Sequence, residues 1–192
     1  MFVRLLSALV CLCLFSSNLA FSWNVRSFSK DDNIISALRL LENIGADEVF
    51  ENLQENSVKI IFYDLTMINY KYRNVHAINS VDNWGERYIL INSKYRNTSK
   101  EELACLIAHE SFHKSAKATM REETLATQKE AYYWSILKIP GKIYSKTALN
   151  LRLDNLLALQ NESTDSYDLI EQKIHNSKFY QSQLAVSSRR RF

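Results

Sequence analysis

Glycine and proline are nearly missing from this chain, with three glycines and one proline in 192 residues, about 2% where roughly 12% is usual. Tight-turned all-β architectures need those residues at every chain reversal, so the scarcity predicts a helix-dominated fold with few, short strands. The 46% hydrophobic and 23% charged residues suit one globular domain with a real core and exclude disorder and collagen. A formal charge of +3 is too small to build a phosphate-binding field, so no nucleic-acid partner is expected.

The first residues have the parts of a secretory leader: Arg4, an apolar run from Leu5 to Phe15, then Ser16, Ser17, Asn18 and Ala20. The run is short of the roughly 20 apolar residues that a signal anchor needs to cross a bilayer. Small residues at Ala20 and Ser22 fit the two pockets of a signal peptidase, so residues 1–22 are expected to leave by cleavage after Ser22, with cleavage after Ala20 as the alternative. The exported chain, secreted or periplasmic, then makes no stable membrane insertion. Cleavage removes Cys11 and Cys13 and leaves Cys105 alone, so no intramolecular disulfide can form. It also removes Arg4, which leaves 23 basic against 21 acidic residues.

Along residues 23–186, Ser29 with Asp32 resembles a capping box, and Ile34, Ile35, Leu38, Leu41 and Ile44 recur at helical spacing up to Gly45, a fitting left-handed cap. A shorter helix is expected from Asp47 to Gln54. Val58–Tyr63, Val75–Ile78 and Tyr88–Ile91 read as strands, the last two joined by a turn at Asp82–Gly85. The fold class expected is α+β, helix-rich, with a small and mostly antiparallel sheet. Thr98 or Ser99 with Glu101 and Glu102 starts a helix from Lys100 to about Lys117, and a second runs from about Met120 to Lys138. Leu149, Leu153, Leu156, Leu157 and Gln160 mark a third, followed by Asp165–Asn176. Residues 187–192, with Arg189, Arg190 and Arg191, are expected to form a flexible basic tail.

His109-Glu110-Ser111-Phe112-His113 is an HExxH motif inside a predicted helix and holds two of the four histidines. Helical spacing of four puts both imidazoles on one face with Cβ atoms about 5–6 Å apart, close enough for both to reach one ion. Zn2+ is the natural choice. Glu110, about 100° around the axis from His109, stays off the ion but beside the water it activates, as a general base.

In this motif the chain resembles the HExxH zinc metallopeptidases, the zincins, over roughly Val58 to Trp134. The resemblance implies a small sheet ahead of the active-site helix, a protein or peptide substrate bound along an edge strand, and a downstream residue completing the metal site. The edge strand would be Val75–Ile78 or Tyr88–Ile91. Candidates for the third ligand are Glu122, Glu123, Glu130 and His175. The metzincin continuation is absent, since Ala116 and Thr119 occupy its later positions, and this favours a glutamate. Glu123-Thr124-Leu125-Ala126 looks like the ExxA segment of gluzincin-like families, which implies Glu123. Those families often place an acid four residues further on. Here that position is Thr127, and Glu130, on a similar face, is the candidate either to replace Glu123 as ligand or to support the ligands from behind. Cys105, His76 and His175 are expected to be structural. Tyr88, Tyr95, Tyr132 and Tyr133 are candidate oxyanion donors, with none preferred.

The expected function is therefore an exported zinc-dependent metallopeptidase, with His109, His113 and Glu123 as metal ligands and Glu110 as general base. The rival readings are a non-catalytic metal-binding or interaction module and a zinc hydrolase of non-peptide amides.

Overall fold

In a computed structural model of the chain, residues 22–114, 118–162 and 166–177 are described. The expected leader, apart from Ser22, and the basic tail lie outside them. Helix α1 (Asp32–Asn43) is capped by Asp31, whose carboxylate accepts from the backbone N–H groups of Asn33 and Ile34. The expected capping box from Ser29 is not what forms. Ser29 is buried and its hydroxyl donates to the Ile60 carbonyl, tying the chain before α1 to the first strand. The apolar stripe of Ile34, Ile35, Leu38 and Leu41 faces inward. Gly45 follows at φ +70°, a left-handed conformation that lacks the steric cost a side chain would bring. Helix α2 (Asp47–Glu55) buries Val49, Phe50 and Leu53.

Three strands form one sheet: β1 (Lys59–Tyr63), β2 (Ala77–Val81) and β3 (Arg87–Asn92). Their order is β1-β3-β2. β2 and β3 pair antiparallel across the expected turn, where the Asp82 side chain accepts from the backbone of Trp84 and Glu86. β1 and β3 pair parallel, with Ile60 opposite Ile89 and Phe62 opposite Ile91. The sheet is thus mixed, which corrects the mostly antiparallel expectation. It also places β3 in the centre, so Tyr88–Ile91 is no edge and the edges are β1 and β2. The physical reason is visible in β3, where Ile89, Leu90, Ile91 and Asn92 are buried in succession, as a strand with neighbours on both sides requires.

Helix α3 (Lys100–Ser111) begins at a full capping box. The Ser99 hydroxyl accepts from the Glu102 N–H while the Glu102 carboxylate accepts from the Ser99 N–H. Every residue from Glu101 to Ser111 is buried, so α3 is the central rod of the core. It packs most heavily on α4 (Met120–Leu137) and α1, and also touches β2 and β3. Helices α5 (Ala148–Glu162) and α6 (Ser166–Asn176) pack on α4 and on each other, and α5 also touches α3. Among the described residues no helix is long and apolar enough to cross a membrane. The architecture is helix-rich α+β with a small three-stranded mixed sheet.

Candidate metal centre

α3 stops inside the motif. The helix ends at Ser111, with Phe112 as its cap, so it does not run on to Lys117 as expected; residues 115–117 lie outside the described set. His113 nevertheless stays on the same side as His109. Phe112 keeps helical dihedrals, and the His113 N–H donates to the Glu110 carbonyl at 3.3 Å, a tightened final turn. The Arg87 guanidinium, at the start of β3, then donates to the Lys114 carbonyl at 2.8 Å and the His113 carbonyl at 3.4 Å. These are carbonyls that a continuing helix would have satisfied.

The two imidazoles meet a carboxylate from α4. Thr119 and Glu122 form the capping box that starts this helix, which spends Glu122 on the backbone N–H of Thr119. Glu123, one residue on, turns inward. His109 Nε2 lies 3.2 Å from His113 Nε2, and Glu123 comes within 3.7 Å of each. Ligands held at about 2.0–2.1 Å by a tetrahedral ion are separated from one another by about 3.3–3.4 Å. All three side chains are buried, and Glu123 Oε2 has no hydrogen-bond partner. A desolvated carboxylate set against two ring nitrogens, Oε2 towards His109 and Oε1 towards His113, is costly unless a cation sits between them, so this donor set fits a metal ion.

Burial and neighbouring charge shift the two imidazoles in opposite directions. Burial pushes His113 down to about 3, which keeps its ring neutral with a lone pair to offer. For His109 burial acts in the same direction, but the Glu130 carboxylate outweighs it and the net shift is upward. Glu130 Oε2 is 3.1 Å from His109 Nδ1 and accepts from Arg152 at 2.6 Å. Arg152 is itself 3.4 Å from that nitrogen. Two donors have nothing to exchange, so Glu130 Oε2 is the shared acceptor: Nδ1 carries the proton and Nε2 points its lone pair at the cluster. Burial would raise Glu130, yet Arg152 first and His109 next hold it at about 2. Glu130 and Glu123, seven residues apart, lie on one face of α4 because two helical turns nearly close that interval.

Glu110 faces β2. The Asn79 side-chain amide, in the middle of that edge strand, donates to Glu110 Oε2 at 2.7 Å and to its main-chain carbonyl at 3.1 Å. Burial pushes the Glu110 carboxyl up to about 7, with the His109 charge working against it. Glu123 is raised too, chiefly by its desolvation.

Thus the structure brings His109, His113 and Glu123 together, with Glu110 beside them and Glu130 behind His109. It leaves out Glu122, and also His175, exposed near the end of α6. Thr127 is buried with its hydroxyl unpartnered, and Glu130 supplies the acid that its position lacks. Cys105 is buried and free, its thiol pushed up by burial. Tyr88 donates to Glu86 and Tyr133 to Glu48, Tyr132 is half exposed beside Tyr133, and Tyr95 is buried against His76, so none of these four candidate hydroxyls is shown bonded to the cluster among the described residues. Asn79, Arg87 and Arg152 complete the centre, and no local pattern in the sequence marks them. Compared with family models, curated proteins and solved structures, the chain finds no match.

Proposed function

We propose that this chain is an exported zinc-dependent hydrolase of peptide bonds with a zincin-like layout. The observation that carries the reading is the meeting of His109, His113 and Glu123 at ligand spacing, with an orphaned carboxylate oxygen among them. Two imidazole nitrogens and a carboxylate suit zinc, and three protein ligands leave a position open. When bound, the ion supplies a Lewis acid that acidifies water at neutral pH.

The chain's own residues do the rest. Glu110 takes a proton from the attacking water and returns it to the leaving amine. Asn79 holds one of its oxygens, which leaves the other to receive the proton. Glu130 fixes the tautomer and tilt of His109. Strand β2 has an open edge, and Asn79 projects from it to the base, so an extended substrate added along β2 passes beside Glu110.

The test is purified exported protein with and without Glu110→Gln. About one zinc per chain is expected in both, with cleavage of an unstructured protein substrate lost only in the variant, by about 100-fold or more. Cleavage unchanged by the substitution, or a chain that takes up no zinc on reconstitution, overturns the proposal.

A further inference from the structure

Three contacts among those that hold Trp23 tie it to α1 and α2. Its backbone nitrogen donates to Glu42 Oε1 at 2.8 Å, its indole Nε1 donates to Asp47 at 3.0 Å, and its ring stacks on Phe50 with centroids 5.2 Å apart and planes 15° from parallel. The Ser22 hydroxyl reaches the same Glu42 oxygen at 3.2 Å, and Ser22 itself is exposed. Glu42 sits in the last turn of α1, a turn with no basic residue of its own, while Arg39 lies three residues before it. A carboxylate there adds to the negative end of the helix dipole, the arrangement that a nearby cation relieves.

We infer that the Ser22–Trp23 peptide bond is the site at which the leader is removed, and that the α-ammonium released on Trp23 is bound by Glu42. Hydrolysis by a leader-processing endopeptidase puts the hydroxyl of water on the Ser22 carbonyl and its hydrogen on the Trp23 nitrogen. The Ser22 carboxyl proton then passes to the amine, which gives a carboxylate on the departing leader and an ammonium on the protein. A free α-amino group has a pKa of about 7.7–8.0, so it is mostly charged at neutral pH. The bond at 2.8 Å thereby changes from an amide N–H on a carboxylate to an ammonium–carboxylate ion pair, in which both partners carry charge. The register matters. A chain beginning at Phe21 keeps Trp23 as a neutral amide, and one beginning at Asn24 loses the ring that docks on Phe50. The small side chains at Ala20 and Ser22 suit a processing enzyme acting at this same bond. The inference rests on the export reading and is independent of the metal centre.

Two measurements test it. The full chain is expressed in a secreting host and the mass of the exported protein is determined, with a start at Trp23 expected. Export with any other start overturns this inference alone, whereas a chain that stays inside uncut overturns the export reading with it. Second, Glu42→Gln is compared by urea unfolding in the exported protein and in the uncut full-length chain made without export. The substitution should lower the folding constant about fivefold in the first and less than twofold in the second. Equal losses in both would show that the ammonium adds nothing, and would overturn its binding by Glu42.

Discussion

Glu130 separates two roles that a buried carboxylate can have, structural ion pair or orienter of a ligand, and its replacement tells them apart. Oε2 of this fully buried side chain accepts from Arg152 at 2.6 Å and lies 3.1 Å from His109 Nδ1. Glu130→Ala removes the carboxylate partner of a largely buried guanidinium, a change that costs about 3–5 kcal/mol when the surviving charge is fully enclosed. The Arg152 side chain keeps 21% of its exposure, so water repays part of that loss. A destabilisation of about 3 kcal/mol is expected, read by urea unfolding of protein stripped with a chelator. Glu130→Gln keeps the volume and one acceptor oxygen for the Nδ1 proton but gives up the charge. It should cost only about 1–2 kcal/mol in stability. If Glu130 holds His109 for a metal, the same variant should also bind zinc about tenfold more weakly, measured by competition with a chromogenic chelator. A Gln variant with unchanged zinc affinity would refute the orienting role and leave Glu130 as a structural partner of Arg152.

The remaining predictions concern the other groups around the cluster. Glu123→Ala should abolish most zinc uptake, whereas Glu122→Ala should keep it and lose only a helix cap, about 1 kcal/mol in unfolding experiments. Asn79→Ala frees the Glu110 carboxylate, and turnover on an unstructured protein substrate should fall about tenfold with zinc content unchanged. Arg87→Ala leaves the His113 and Lys114 carbonyls without their donor. Zinc should then dissociate faster, and amide hydrogen exchange in the segment after Ser111 should rise. Leu103→Ala empties a fully buried position in α3, and a stability loss of about 2–5 kcal/mol is expected from calorimetry or urea titration, with zinc binding retained by the folded fraction.

What the sequence displays and what it conceals divide along the range of the interactions. A helix start was legible where a polar residue caps its own neighbours, as Ser99 with Glu102 does, because the information lies within four residues; the Thr119–Glu122 box is equally local, but only a start near Met120 was expected there. The His109 and His113 pairing is local in the same sense, and it survives the end of α3 because one further helical residue, Phe112, preserves the spacing. The parallel pairing of β1 with β3 is not local. It brings together segments almost thirty residues apart, and its local trace in the sequence is the unalternating apolar run Ile89-Leu90-Ile91. Asn79, Arg87 and Arg152 are hidden for the same reason: each acts on a residue between 22 and 43 positions away, through an element that the sheet or the helix packing delivers. Glu130 falls between these cases. Its face on α4 follows from the seven-residue interval to Glu123, but its partner arrives from α5. The five-residue motif therefore names the groups able to ligate and take a proton. The long-range contacts decide whether they are held still enough to do so, since a free Glu110 or an untethered His113 would keep the motif and lose the geometry.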